Sequence, residues 1–525
     1  MTRYTNKKTN KIPVLGSIIK AAIDLSGKIS LIDFGRVKNP RKTQEKVLRN
    51  LLLKASSTHF GDAHNFPELL KEEDLVAAYK KAVPTFDYDS LHNAWWHRTL
   101  TGEPYVCWPG QVKYFALSSG TSGSSSKYIP ITQDMNRQIQ KTSIRQIFTL
   151  AKYDFPKEMF EKGILMLGGS THLQYNGTYY EGDLSGISAN NLPFWFQHYY
   201  KPGKRISKER DWQVKLDEIV KNAPNWDLMA IVGVPAWFVI LMEKIVETYK
   251  VETIHDIWPN LRIFCHGGVS IEPYRKSLDK LFGQPVTYIE TYLASEGFLA
   301  YQSRPNAQGM ELMLDNGIFF EFVPFNNENF DEDFNLKPDP QTFTIDEIEE
   351  GKDYALLITT CAGAYRYLIG DTVRLVDRAY NEIIITGRTK FFLSICGEHL
   401  SVDNMTHAVK KLSDEKNIKI PEFCVIGEEY ENLFAHRWFL ACDEPLDATA
   451  AAEKIDKYLC EINDDYRVER LEAIRDVFVE FWPTSVFYDY MRLLGKEGAQ
   501  NKFPRVLRGE KMEHWLNYLK DKRWQ

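Results

Sequence analysis

The chain has no long hydrophobic run, no paired-cysteine spacing and almost no net charge, and each absence removes a class of function. The apolar stretch Pro235 to Met242 is far too short to cross a bilayer. Near the start, Lys20, Asp24 and Lys28 interrupt a mildly apolar segment too soon for a signal-peptide core. With 65 basic against 71 acidic residues the net charge is −6, too close to neutral for general electrostatic capture of nucleic acid or an anionic membrane. The seven cysteines show neither C-x-x-C spacing nor a metal-ligand pattern with histidine. A cytoplasmic protein with no nucleic-acid and no membrane partner is the expectation, and any anion site has to be local.

What is present supports a large core. At 525 residues, 44% hydrophobic and 13% aromatic, the chain is long enough for two or more domains. Residues 40–82 carry apolar positions at helical spacing, among them Val47, Leu51, Leu52, Leu69, Leu70 and Leu75. Beyond about residue 110 the pattern changes to strand, loop, helix. Runs at 163–169, 228–235 and 261–268 end in glycine or proline and alternate with helical stretches at 235–249 and 273–282, the rhythm of an α/β domain with a buried sheet. Asn316-Gly317 predicts a hairpin turn between the apolar runs on either side of it. A strand-like run follows at 354–363, and the pattern breaks at Gly387-Arg388-Thr389-Lys390. The remainder, with strands at FCVIGEE and HRWFLAC and helices at 446–463 and 468–481, reads as a small α+β C-terminal domain. The expected domains are residues 1–387 and 391–525, joined by a hinge at 388–390.

Several loops carry candidate chemistry. Leu117 to Lys127 reads LSSGTSGSSSK, small residues whose backbone N–H groups can crowd an anion, although Tyr128 after the lysine rules out the Walker pattern. Serine-glycine clusters also serve as plain surface turns. Further on stand HGG (266–268), TYLASEG (291–297), AYRYLIGDTVRL (364–375), TGRTKFFLSICGE (386–398) and AQNKFPR (499–505). Taken singly, Glu296 reads equally as a salt-bridged glutamate, Tyr292 as core, Asp371 as a turn residue after Gly370 and Lys502 as a solvated lysine. Pro504 restrains Phe503 toward extended backbone, which sets Lys502 beside a defined segment.

The order of these motifs, with DDYRVER (464–470) and FYDYM, resembles the adenylate-forming enzymes and, within them, the plant Gretchen Hagen family of acyl-acid amido synthetases, the auxin-responsive promoter proteins. The resemblance runs over most of the chain. It implies an α/β fold, with a large N-terminal adenylate-forming domain of buried sheets flanked by helices and a small mobile C-terminal domain. It implies a ligase that uses ATP and Mg2+ to convert a carboxylic acid to acyl-AMP and then passes the acyl group to an amine, an amino acid being the expected acceptor. By the same resemblance Ser118, Ser119, Gly120, Thr121, Ser122 and Lys127 hold the triphosphate, and Glu296 serves the metal. Gly268, Tyr292 and Ser295 lie against the nucleotide, Asp371 binds ribose and Arg388 supplies a second ribose or phosphate contact. Lys502 meets the reacting carboxylate and α-phosphate, and Lys390 lies at the hinge. Tyr365 and Arg366 read as structural, His266 as a packed neighbour. An acyl-coenzyme A ligase and a non-catalytic nucleotide-binding relative remain open. Serines at 124–126 and Leu368-Ile369 depart from the plant pattern and leave acyl specificity unassigned; the aromatic segment 168–200 reads as acyl pocket or as core edge.

Overall fold

The computed structural model describes residues 37–118, 127–153, 155–190, 196–268, 271, 274–331, 334–389, 392–398, 400–444, 446–494 and 503–523. Its architecture is mixed α/β, divided into two compact units: Met1–Leu117 with Tyr128–Thr389, and Ser118–Lys127 with Lys390–Gln525.

The first unit begins with the helices Pro40–Ala55 and Leu75–Ala82, started by Asn39 and Asp74, whose side chains accept from the Lys42 and Ala77 amides. Their apolar faces bury Leu48, Leu51, Leu52, Leu75, Val76 and Tyr79 in the main core. Gln44, fully inside that core, donates to the Leu314 and Ile318 carbonyls and accepts from the Phe320 amide, so its burial leaves no polar cost.

The strands of this unit are, in order, β1 (Tyr114–Ser118), β2 (Lys127–Ile131), β3 (Gly163–Leu167), β4 (Gln174–Tyr175), β5 (Tyr180–Gly182), β6 (Tyr200–Lys201), β7 (Leu228–Gly233), β8 (Ile263–Gly267), β9 (Thr287–Ala294), β10 (Gly297–Tyr301), β11 (Met310–Leu312), β12 (Ile318–Pro324), β13 (Asp353–Thr360), β14 (Tyr367–Asp377) and β15 (Glu382–Arg388). Four of them form the sheet β2-β1-β5-β4, and eleven form the sheet β12-β13-β14-β15-β11-β10-β9-β8-β7-β3-β6. From β6 to β9 neighbours run parallel; from β9 onward they run antiparallel. Helices Pro235–Tyr249 and Arg275–Leu281 make the crossovers that parallel pairing requires. β9 is therefore the strand at which the sheet changes character.

The expected hairpin at Asn316-Gly317 does not form. Gly317 turns with φ +80, but β11 pairs with β10 and β15, while β12 pairs with β13 from Ile318↔Thr360 to Pro324↔Tyr354. A turn signal fixes a change of direction, and partner choice went to the longer apolar strand.

In the second unit β16 (Phe392–Leu393) pairs with β17 (Leu400–Ser401), and β18 (Phe423–Tyr430), β19 (Leu433–Ala441) and β20 (Ile474–Trp482) form a three-stranded sheet. The helices are Val402–Lys416, Ala448–Ile462, Asp464–Glu472, Thr484–Leu493 and Gly509–Arg523. The helix expected over 468–481 ends at Glu472, and the rest is β20, parallel to β19. The β-branched and aromatic run Val477-Phe478-Val479, with Val477 and Val479 buried and Phe478 half-buried between them, favours a half-buried strand once β19 offers its edge. No helix among the described residues is long and apolar enough to cross a membrane.

Candidate functional site

The C-terminal ends of β8 and β9 bring the first candidates together. A Cβ on Gly267 would run into the Thr291 carbonyl, and Thr291 Oγ1 donates to the His266 carbonyl at 2.9 Å, so the two strand ends are locked side by side. Gly268 follows at φ +83, a left-handed conformation that favours glycine on backbone grounds alone. His266 is buried between the rings of Phe264 and Tyr288.

Because side chains alternate along a strand, β9 serves two faces. Tyr292 is buried and its hydroxyl donates to Asp371 Oδ2 at 2.5 Å. Burial first, then the Asp371 charge, pushes the Tyr292 pKa well above its ordinary value, so the phenol keeps its proton and is the donor. The other oxygen, Asp371 Oδ1, lies 2.9 Å from Arg388 Nε, the two residues being register partners across β14 and β15. Past the end of β9, half-buried Ser295 and Glu296 occupy a turn, and Glu296 Oε1 accepts from the Tyr367 hydroxyl at 3.3 Å. Tyr367 is fully buried at the start of β14, its pKa raised well above normal by burial and then by Glu296.

Behind these strands, Arg366 is nearly fully buried and held at φ +41, donating to Glu321 and to the carbonyls of Lys80 and Val83. Tyr365 stacks on Phe60 at 4.1 Å and donates to the Cys107 carbonyl at 2.7 Å. These two residues hold the YRY segment in place.

The opposite face of β9, with Thr291 and Leu293, borders a cavity of about 360 Å³. Ile139, Ile147, Met166, Val232 and Phe298 give it apolar walls, and Gly268 lies at its edge. Lining atoms that are buried and have no hydrogen-bond partner among the described residues include Gln146 Nε2, Ser188 Oγ and Trp237 Nε1. Buried Lys215 also lines it, donating to the Gly168 carbonyl at 3.0 Å. From the aromatic segment 168–200, Gly168, Gly169, Ser185, Ser188, Phe196 and Tyr200 reach this wall.

The structure thus gathers Gly268, Tyr292, Ser295, Glu296, Asp371 and Arg388 within the first unit. Ser118 closes β1 and half-buried Lys127 opens β2. Ser119, Gly120, Thr121, Ser122, Lys390 and Lys502 lie outside the described residues. Tyr367 and Trp237 were missed: the first sits within the YRY motif but shows its role only through Glu296, and the second sits on a helix with no motif at all.

The donor set suits a magnesium nucleotide. Asp371 keeps one lone-pair direction on each oxygen beyond those used by Tyr292 and Arg388, which matches a pair of ribose hydroxyls. No cluster of three metal-binding side chains exists among the described residues, and Mg2+ needs none, since it takes one or two carboxylates beside phosphate oxygens and water.

Comparison with known proteins gives this arrangement a family. Residues 36–174 and 170–287 match the GH3 family N-terminal domain, 311–383 its central domain and 403–511 its C-terminal domain. A jasmonoyl–L-amino acid synthetase of Nicotiana attenuata is 32% identical over 452 residues, covering 72% of this chain and 75% of that one. Among solved structures, the GH3.15 acyl acid amido synthetase superposes with a TM-score of 0.57 at 16% identity, covering 94% of this chain and 95% of that one. A 2-hydroxyisobutyryl-CoA ligase does so with a TM-score of 0.52 at 13% identity, covering 97% and 93%, which is a likeness of fold. The chain belongs to the GH3 family, as its motif order led one to expect, and is an enzyme of the ligase class.

Proposed function

We propose that this protein uses ATP to adenylate a predominantly apolar carboxylic acid, releasing pyrophosphate, and then transfers the acyl group from AMP to an amine, an amino acid being the favoured acceptor. The observation that carries the reading is β9, which presents Tyr292 to the Asp371 carboxylate on one face and borders the apolar cavity on the other. One strand thereby sets a nucleotide beside an acid.

The roles divide by chemistry. Asp371 accepts the ribose hydroxyls, held by Arg388 and Tyr292. Glu296, with the phosphate oxygens, holds Mg2+, which when bound supplies charge neutralisation. Ser118, Ser119, Gly120, Thr121, Ser122 and Lys127 hold the triphosphate, and Ser295 and Gly268 border the base. Lys502 offers a mobile ammonium for the charge that builds where carboxylate oxygen meets α-phosphorus. Residues 388–390 form the hinge between domains 1–387 and 391–525. Lys390→Pro is expected to leave ATP binding intact and to slow one half-reaction, since proline fixes φ where the hinge has to turn; equal, unimpaired rates in both would remove the hinge.

The cavity, at about 360 Å³, falls in the size range of ligand sites and suits an acid with an aromatic or branched body. The polar atoms on Gln146, Ser188 and Trp237 that have no partner among the described residues favour a body that also carries a hydrogen-bonding group. The seven cysteines are free thiols, which suits the cytoplasm. The test is pyrophosphate release from ATP and Mg2+ with a panel of carboxylic acids, followed by product analysis with amino acids or coenzyme A. Acid-dependent release with amide products supports the reading. Thioester products alone make the protein an acyl-coenzyme A ligase, and no acid-dependent release with any acid contradicts adenylation.

A further inference from the structure

Two tyrosines and two carboxylates in the first unit are connected crosswise. Tyr292 and Glu296 come from the end of β9, and Tyr367 and Asp371 from the start of β14, with the same four-residue separation in each pair. Each segment's tyrosine donates to the other segment's carboxylate: Tyr292 to Asp371 at 2.5 Å and Tyr367 to Glu296 at 3.3 Å.

The connection is not a product of strand pairing. In the sheet order β10, β11 and β15 stand between β9 and β14. Strands four places apart in a flat sheet lie roughly 19 Å from one another, so hydrogen bonds between them require the antiparallel part of the sheet, from β9 to β14, to curl. The curl brings a turn carboxylate and a strand carboxylate to one place. Each carboxylate takes a hydroxyl that reaches across from the other segment, and Asp371 also meets Arg388, its register partner. Tyr367 itself is clamped: Trp96 packs on its ring at 5.6 Å, and it bridges to Phe86 in parallel register.

We propose that Tyr292 and Tyr367 are a reciprocal pair of positioning residues, Tyr292 aiming Asp371 at the nucleotide ribose and Tyr367 aiming Glu296 at the nucleotide's magnesium ion. The proposal rests on the nucleotide site assigned above. It follows from the chemistry of each acceptor. A carboxylate that takes two adjacent hydroxyls has to present both oxygens in one plane, and with Arg388 on Oδ1 and Tyr292 on Oδ2 that plane is set from both sides. A metal-binding carboxylate is held by an outer hydrogen bond on one oxygen, the place Tyr367 takes on Oε1. Because each hydroxyl serves one carboxylate, the two substitutions have separable consequences.

The test is calorimetric binding of ATP, 2′-deoxy-ATP and 3′-deoxy-ATP to the full chain, with Mg2+ titrated, for the parent, Tyr292→Phe and Tyr367→Phe. Tyr292→Phe is expected to weaken ATP about tenfold while moving the deoxy nucleotides much less, with the Mg2+ midpoint unchanged. Tyr367→Phe is expected to raise the Mg2+ midpoint about tenfold with the ratio of ATP to deoxy affinities unchanged. In a Glu296→Gln background, Tyr367→Phe is expected to add nothing further to that midpoint. Weakening of all three nucleotides by one common factor, with the midpoint fixed, would make the hydroxyls merely structural and overturn the proposal, as would no change at all. If Tyr367→Phe proves insoluble, the selectivity of Tyr292→Phe alone decides. A parent that binds no magnesium nucleotide would overturn the assignment of the site itself, an outcome visible before any variant is compared.

Discussion

Buried carboxylates occur in both units, and they are treated in opposite ways. In the first, buried Asp371 and half-buried Glu296 each accept a tyrosine hydroxyl reaching across a curled sheet. In the second, Glu398 is fully enclosed and saturated: the amides of Ile395, Cys396 and Gly397 donate to it, and His436 Nε2 lies at 3.0 Å. Burial alone would raise its pKa, but His436 and those amides overcome burial and pull it down to about 2. Nearby Glu469 is also buried but has far fewer partners, the Cys396 thiol being the hydrogen bond that opposes the rise in its pKa. Its Oε2 has no hydrogen-bond partner among the described residues, and burial, then Glu472 and Glu398, push its pKa well above the usual range. A carboxylate whose every lone pair is taken holds a fold together, whereas one held in plane with acceptor capacity left is arranged for a ligand.

That contrast can be broken or sharpened by substitution. The largest expected effect is on the scaffold. Arg366→Met strands Glu321, only 1% exposed, as a buried charge, and should cost the first unit about 3–5 kcal/mol. Urea unfolding of the full chain reads it, and a loss below about 1 kcal/mol would mean that the pair does not hold the YRY segment. The next effect has the opposite sign. The raised pKa of Glu469 means that its contribution to stability is fully present below the ordinary carboxylate range and is lost as pH rises. Glu469→Gln is therefore expected to stabilise the second unit by about 1–3 kcal/mol near pH 8 and hardly at all near pH 4; stabilisation equal at both pH values would contradict the assignment. Glu398 gives the reverse dependence, its contribution being present above the usual range and lost as pH falls toward about 2. The smallest effect concerns the cavity. Trp237→Phe should lower kcat/KM about tenfold for acids carrying a keto, ether or hydroxyl group in the body and leave their unsubstituted analogues unchanged. Equal losses for both sets would remove Trp237 from substrate selection.

The sequence was readable where function or structure is written locally. Pro235 and an unbroken apolar period marked the helix Pro235–Tyr249, and Gly387-Arg388 marked a change of pattern just before Thr389, the last residue of the first unit. Glu296, Asp371 and Arg388 stood in motifs whose order carried the family. What depended on distant partners was not readable. The run Ile474–Trp482 passed for a continuing helix because its strand character emerges only beside β19, and Asn316-Gly317 could not reveal that Ile318 pairs with Thr360. Tyr367 lay in plain view within AYRYLIGD, yet its task depends on a glutamate 71 residues away. Of the cavity walls, the stretch from segment 168–200 was open to view as acyl pocket or core edge, whereas helix positions such as Ile139 and Trp237, with no shared spacing, left no trace in the sequence.

The most direct measurement is acid-dependent exchange of pyrophosphate into ATP, compared among the parent, Asp371→Asn and Glu469→Gln with an acid that the parent accepts. Nucleotide chemistry at the curled sheet predicts robust exchange in the parent and loss of about 100-fold or more in Asp371→Asn, with Glu469→Gln exchanging at the parental rate. Parental exchange that survives in Asp371→Asn, or exchange that vanishes in Glu469→Gln while the fold is retained, would contradict it.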